Sequence, residues 1–380
     1  MDFSITENQK GLIRDWRDFT RKQCPREYVQ ELDETGGFPH AFLRKAGEGG
    51  RLGLPFPVEY GGRDLSIFDQ VLIFEEVARW AFSVSQSLGM VWLFGGTAIL
   101  RFGTREQKDY YVPMMMAGDM KIAFGMTEPD AGSDATSLST FAELDGDSYV
   151  VNGSKIFITG AGHTERMLLI TRTEKNAPAS VAYTIFLVDP RSPGITLNKL
   201  RSHGRNSPGT YEVFVDNLRV KASDVVGEVN AGWAELQTAL ENERVCASAM
   251  YLGTSQTAID DTVAFAREEV KSGKPLARDQ VIRHYLADMQ TRVDATRLLI
   301  YRAAWQVSNG IPCATEASMA KLFSGEAFVY VTDLGMKIMG DHGYTDEYDM
   351  QHYFRDAKAS TIGGGTSEMQ RNMIASAILR

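Results

Sequence analysis

The 380-residue chain reads as an α+β protein with its helices and strands segregated, helical at both ends and β in the middle. Three observations predict this. Asp69 to Arg79 places Val71, Leu72, Phe74 and Val77 at helical spacing. Beyond residue 123, short β-prone runs punctuated by Gly and Pro replace that period. From Gly232 onward the helical period returns. Helices, then strands, then helices is not the alternation that builds a doubly wound sheet. The shifts place the boundaries at 1–122, 123–228 and 229–380.

In the first region, Pro55 to Gly62 (PFPVEYGG) is a loop by its Pro and Gly content. Trp80 to Leu100 carries no charge and is long enough to cross a bilayer, yet Ser83, Gln86, Gly89, Gly95 and Thr97 interrupt it. It reads as a buried helix. In the middle region, Asn152-Gly153 lies between Ser148–Val151 and Ser154–Thr159 and predicts a tight hairpin turn. Met167–Thr171, Tyr183–Val188 and Tyr211–Val215 are further strands. In the last region, Trp233–Leu252, Asp279–Ser308 and Thr315–Met339 are helices, with Thr315 placed as a cap.

Composition narrows the functional classes. Hydrophobic residues make up 43% and charged residues 23%, which is globular composition. A net charge of −9 disfavours nucleic acid and anionic membranes as partners. Cys24, Cys246 and Cys313 are far apart, so a zinc cluster or redox dithiol is not expected, and sparse thiols fit a reducing cytoplasm. The N-terminus has no basic start or apolar run, unlike a signal peptide. The six histidines form no evident ligand set with carboxylates, so no metal is expected. P-loop, H-E-x-x-H, G-x-S-x-G and dinucleotide fingerprints are absent.

Four places carry chemistry. Phe124 to Asp134 (FGMTEPDAGSD) gathers small and hydroxyl residues, including Thr127, Gly132 and Ser133, that let backbone N–H groups approach an anion; the plain alternative is an Asp/Gly loop. Phe157 and Thr159 share a strand face, where an aromatic ring and a hydroxyl could meet a flat cofactor; the alternative is a core Phe. Gly363 to Gln370 (GGGTSEMQ) opens a helix N-terminus, which Thr366 caps with or without a ligand. Finally, Glu243 interrupts the apolar stripe Leu236, Ala239, Leu240, Cys246, Ala247, Met250. A carboxylate there is desolvated and suited to accept a proton, unless Arg244 pairs with it or the helix turns it outward.

Together these blocks resemble the acyl-CoA dehydrogenase family over essentially the whole chain. MTEPDAGSD resembles the family's first signature; NGSKIFIT, RAAWQV at Arg302–Val307 and RDAKASTIGGGTSEMQR at Arg355–Arg371 follow in the family's order. The resemblance implies an N-terminal helical domain, a central β-barrel or sandwich domain and a C-terminal four-helix bundle. It implies FAD, usually in a homotetramer, and electrons passed to an electron-transferring flavoprotein. Phe124, Met126, Thr127, Gly132, Ser133, Phe157, Ile158, Thr159, Gln280, Lys337, Thr366, Ser367 and Glu368 would meet the cofactor. Ser133, Glu241, Arg244 and Gly365 would meet the substrate. The reaction implied is α-proton abstraction with β-hydride transfer, on a short or branched acyl thioester of CoA or an acyl-carrier protein. The thioester oxygen would sit on the Gly364 N–H.

Many members carry the base just before Gly-Thr-Ser, where this chain has Gly364. The isovaleryl- and long-chain-like members carry it on a helix before an Arg, which Glu243-Arg244 matches. Other departures touch the cofactor. The family's Arg-x-x-Phe-Gly-x-Pro stands here as Glu269 to Pro275, with Ser272 at the Phe position, and its Q-I-x-G-G begins with Lys337. Lys337 or Arg267 could replace the lost positive charge, or FAD binding and assembly differ. A flavin oxidase or monooxygenase on the same fold, and a non-catalytic binding relative, are the competing readings.

Overall fold

The computed structural model describes residues 4–271 and 273–379; Ser272 lies outside the described residues. Seven helices come first: α1 (Glu7–Gln23), α2 (Arg26–Thr35), α3 (His40–Glu48), α4 (Ile67–Trp80), α5 (Phe82–Gly89), α6 (Thr97–Phe102) and α7 (Arg105–Ala117). Thr6, Ser66 and Thr104 start α1, α4 and α7 with reciprocal capping boxes, which satisfy donors a helix start leaves free. Val71, Leu72, Phe74 and Val77 are buried as their spacing predicts. The uncharged stretch after Trp80 is α5, a wide π turn at Met90–Gly96, and α6, mostly buried inside the protein. Gly95 is required in that turn: a Cβ there would lie 2.7 Å from Ile122. The Pro55–Gly62 loop holds one short 3-10 turn, Val58–Tyr60.

Eight strands follow: β1 (Ile122–Gly125), β2 (Phe141–Asp145), β3 (Ser148–Thr159), β4 (Arg166–Arg172), β5 (Tyr183–Val188), β6 (Ile195–Leu200), β7 (Thr210–Lys221) and β8 (Val225–Val226). The sheet order is β6-β7-β3-β2-β4-β5-β8, with β1 parallel on β4. A single pairing, Phe141 with Arg172, joins β2 to β4, so the sheet is two four-stranded halves that hinge there. The hairpin predicted at Asn152-Gly153 does not form. β3 runs straight through that dipeptide, and the turn is Gly146-Asp147, between β2 and β3. Gly153 instead sits at a bulge with φ 150, its missing Cβ leaving room for Thr140, 2.5 Å from where it would stand.

Five helices close the chain: α8 (Gly232–Glu268), α9 (Gln280–Ser308), α10 (Ala314–Met339), α11 (Met350–Ala357) and α12 (Ser367–Ile378). α8, α9 and α10 pack on one another, α12 closes on α10, and α4 lies along α8. Asp279 caps α9 through its side chain. Thr315 does not cap α10, which begins one residue earlier at Ala314 without a side-chain cap.

Candidate active site

The Phe124–Asp134 loop leaves β1 and is fastened to β3 by a buried ion pair. Lys155 Nζ lies 2.7 Å from Glu128 Oε1 and donates also to the Met126 carbonyl. Glu128 further accepts from the Ser139 N–H and hydroxyl and the Thr140 N–H. Burial opposes charge on Glu128, but Lys155 and these donors win and hold it near about 2. The same burial pushes Lys155 down to about 8 despite Glu128. The carboxylate collects the extra donors and so gains most from the pairing, and both groups are charged at neutral pH.

That clasp positions the outward groups on either side of it. A second bulge between Lys155 and Ile158 turns Phe157 to φ 60 and leaves its ring 64% exposed, so it is not a core Phe. Ile158 faces the core and offers only backbone. The hydroxyls of Thr127, Ser133 and Thr159 bond to no other described residue, and a Cβ on Gly132 would meet open space. Phe124 stacks on Phe94 at 5.1 Å, and a Cβ on Gly160 would strike Met90. The strand ends therefore abut the helix segment Met90–Gly96.

On α8, Glu243 is half-buried as a residue, but its Oε2 is sealed and has no hydrogen-bond partner. Burial pushes its carboxyl up; Arg244, Lys321 and Arg205 pull the other way without cancelling it. The pairing with Arg244 weighed from sequence does not form, and Arg244 Nε is itself unpartnered. Opposite Glu243 stands the turn Gly363–Gly365. A Cβ on Gly364 would lie 3.2 Å from Glu243 Oε2, and φ values of 70 and 90 at Gly364 and Gly365 favour glycine there. Lys321 Nζ donates to the Gly365 carbonyl at 2.6 Å, and Gln370 Nε2 donates to the Gly364 and Gly365 carbonyls. The Gly364 N–H makes no hydrogen bond to a described residue. Thr366 caps α12 by accepting from Met369, as predicted; Ser367 is buried and Glu368 exposed beside it.

Other expected residues lie apart. Gln280 and Lys337 are exposed at one end of the α9–α10 pair, with Lys337 over the Tyr285 ring. Glu241 and Arg244 flank Glu243 on α8, both half-buried. Two residues were not foreseen. Lys321 interrupts a buried stripe (Ala317, Ser324, Phe328) as Glu243 does, so the same rule would have found it. Arg205 sits in an irregular loop that gives no periodic signal. The structure also gathers Asp33, His352 and Asp356, whose ligand-type atoms lie within 4.8 Å of one another, against the expectation that no histidine clusters with carboxylates. Arg355 donates to Asp33 Oδ2, and Asp356 accepts from His352 and from the Arg205 N–H, while Asp33 Oδ1 is buried without a hydrogen bond, 3.7 Å from His352 Nε2.

On α8 a desolvated carboxylate stands against the Gly363–Gly365 turn, and at the strand ends of the β domain an exposed ring accompanies unbonded hydroxyls. Family models for the acyl-CoA dehydrogenase N-terminal, middle and C-terminal domains match residues 6–119, 123–218 and 230–379. The chain is 34% identical to the probable acyl-CoA dehydrogenase YngJ of Bacillus subtilis, with all of both chains covered. It is 33% identical to the 3-(aryl)acrylate reductase of Clostridium sporogenes, over 99% of this chain and all of that one. The solved butyryl-CoA dehydrogenase of Megasphaera elsdenii superposes with a TM-score of 0.94 at 31% identity, both chains fully covered. The chain belongs to the acyl-CoA dehydrogenase family, oxidoreductases that act on CH–CH bonds with FAD. Its residues fit that cofactor: the turned-out Phe157 ring, the unengaged Thr127, Ser133 and Thr159 hydroxyls and the open space at Gly132 are the donor set and room a flavin needs.

Proposed function

We propose that the protein dehydrogenates a short or branched acyl thioester, carried on CoA or an acyl-carrier protein, with Glu243 as the base. The observation that carries this is the Glu243 carboxyl, its Oε2 sealed and unpartnered, set against the Gly364 turn, whose N–H bonds to no described residue. A thioester carbonyl on that N–H brings its α carbon toward Glu243. The N–H stabilises negative charge as it develops on the oxygen. Glu243, with its pKa raised by burial, then takes the α proton. Bound FAD supplies the acceptor for the β hydrogen and its electron pair. Thr127, Ser133, Phe157 and Thr159 orient the ring, Thr366, Ser367 and Glu368 meet the remainder, and Glu241 and Arg244 flank the pantetheine. Gln280 and Lys337 serve the FAD of a neighbouring subunit in a homotetramer, and an electron-transferring flavoprotein takes the electrons. The names of its relatives support this chemistry in both directions, since they include dehydrogenases and an acryloyl-CoA reductase.

The test is anaerobic mixing of the FAD-loaded protein with short and branched acyl-CoA thioesters. We expect at least one to bleach the flavin within seconds, and oxygen to restore the colour only slowly. Fast reoxidation by oxygen would make the protein an oxidase instead. Failure to retain FAD would leave it a binding relative.

A further inference from the structure

The Phe124–Asp134 loop is fastened a second time, just beyond its far end. Arg172, the last residue of β4, stands at the single pairing that joins the two half-sheets. Its Nε donates to the Leu138 carbonyl at 3.3 Å. Nη1 donates to the Glu174 and Ala177 carbonyls at 3.2 and 2.8 Å. Nη2 donates to the Thr136 carbonyl at 3.3 Å and to the Tyr183 hydroxyl oxygen at 3.4 Å. All five donors of the guanidinium are spent, and every acceptor is neutral. Tyr183 completes the clamp. Its ring is buried beneath the guanidinium, 5.1 Å away, and its hydroxyl reaches the Ala135 and Thr136 carbonyls at 3.1 and 2.7 Å.

The two clasps hold opposite ends of one stretch of chain. Lys155 and Glu128 tie its start to β3, the strand that ends in Phe157 and Thr159. Arg172 and Tyr183 tie its end, Ala135 to Leu138, to the connection between β4 and β5. That connection leans on α8. Its Ala179–Val181 turn packs there, and the Tyr183 ring lies 5.9 Å from the Trp233 ring. A Cβ on Gly232, the first residue of α8, would stand 2.8 Å from the Tyr183 carbonyl. The first clasp thus faces the strand ends that offer an exposed ring and hydroxyls, and the second faces the helix that carries Glu243. Between them stand Gly132 and Ser133, both exposed.

We propose that Arg172 is a positioning residue for the thioester rather than for the flavin: by clamping Ala135–Leu138 to the β4–β5 connection it fixes where Ser133 stands on the α8 side of the site, and so how tightly the acyl thioester is held before Glu243 acts. The geometry of the fork does this, not its charge, because no acceptor is an anion. A lysine keeps the charge but offers its donors from one point, so it does not span four carbonyls on two loops. The inference rests on the dehydrogenase reading and adds to it a residue that touches neither the reacting atoms nor the cofactor.

The experiment follows anaerobic flavin bleaching against the concentration of butyryl-CoA and isovaleryl-CoA in wild type, Arg172→Lys, Arg172→Met and Tyr183→Phe. Calorimetry reads binding of the non-oxidisable thioether analogue of butyryl-CoA, and flavin fluorescence reads FAD affinity. The half-saturating thioester concentration should rise about tenfold in both Arg172 variants and less in Tyr183→Phe, while the bleaching rate at saturation and the FAD affinity change by less than about threefold. FAD affinity falling in step with thioester affinity would make Arg172 a strut for the whole loop and overturns the inference. Thioester affinity unchanged in Arg172→Met overturns it too, as does full affinity in Arg172→Lys, which would make charge the cause; the dehydrogenase reading survives all three. If Arg172→Met does not fold, Arg172→Lys and Tyr183→Phe decide alone. Bleaching of the wild type by neither thioester overturns the dehydrogenase reading and this inference with it.

Discussion

Two buried glutamates, each with a lysine in reach, meet opposite fates in this protein. Glu128 spends every lone pair: Lys155, Ser139 and Thr140 converge on it, and its pKa falls to about 2. Glu243 has no bonded partner on Oε2, Lys321 Nζ donating instead to the Gly365 carbonyl, and burial raises its pKa. The difference is not burial, which pushes both carboxyls the same way. It is where the neighbouring donors point. A satisfied buried charge fastens structure, whereas an unsatisfied one holds a reactive group ready, at some expense of stability.

The largest effect should come from breaking the unsatisfied member. Glu243→Gln keeps the shape but cannot take a proton. The rate of flavin bleaching by substrate should fall by about 10²–10⁴-fold. FAD content should hold, and thermal stability should stay level or rise, since a desolvated acid has been removed. Full-rate bleaching in this variant would place the base elsewhere.

The satisfied member should respond the other way. Lys155→Met leaves Glu128 buried and unpaired, and breaking such a pair costs about 3–5 kcal/mol. The unfolding midpoint in urea should drop, and the Phe124–Asp134 loop should lose FAD. Adding Glu128→Gln should recover part of that stability, because no stranded charge remains. Acid sharpens the contrast. Glu128's pKa is depressed on folding, so its stabilisation is present above about 4.5 and lost as pH falls toward about 2. Glu243's is raised, so its contribution is present below 4.5 and lost as pH rises through the folded value. A sound protein that resists acid in the Glu243→Gln variant no differently from wild type, but yields sooner in Lys155→Met, would confirm which acid fastens the fold.

Much of this was legible beforehand, for a reason that also marks where it stopped. Periodic signals survive in sequence: α4, β4, β5 and α8 follow their apolar spacing, and Glu243 stood out because it broke one. Non-periodic signals mislead. Asn152-Gly153 has the residues of a hairpin turn, but β2, with its exposed acidic end (Glu143 to Asp145), was not recognised as the partner of β3. Once β2 pairs there, Asp145-Gly146-Asp147 makes the turn and Asn152-Gly153 becomes a bulge. Lys155 gives no signal of its role in sequence, because its partner, Glu128, belongs to a loop. Arg205 left no trace for the same reason: loop geometry is set by distant contacts, here with Arg355 and Asp356.

The smallest effect tests whether Lys321 works on Glu243 at a distance. Bleaching requires the ionised Glu243, so its rate should rise with pH through that group's elevated pKa. Lys321 is pushed down by burial to about 8, but below that it remains a cation that favours the Glu243 anion. Lys321→Met removes the cation, so the rising limb of the bleaching-versus-pH profile should move to higher pH. It also frees the Gly365 carbonyl, which Gln370 still holds, so the turn should persist and the loss of rate above the limb should be modest. Lys321→Arg keeps the charge and should keep the limb in place. A limb unmoved in Lys321→Met, with the maximal rate reduced alike in both variants, would reduce Lys321 to a strut for the turn and leave the Glu243 pKa to burial and the two arginines, Arg244 and Arg205.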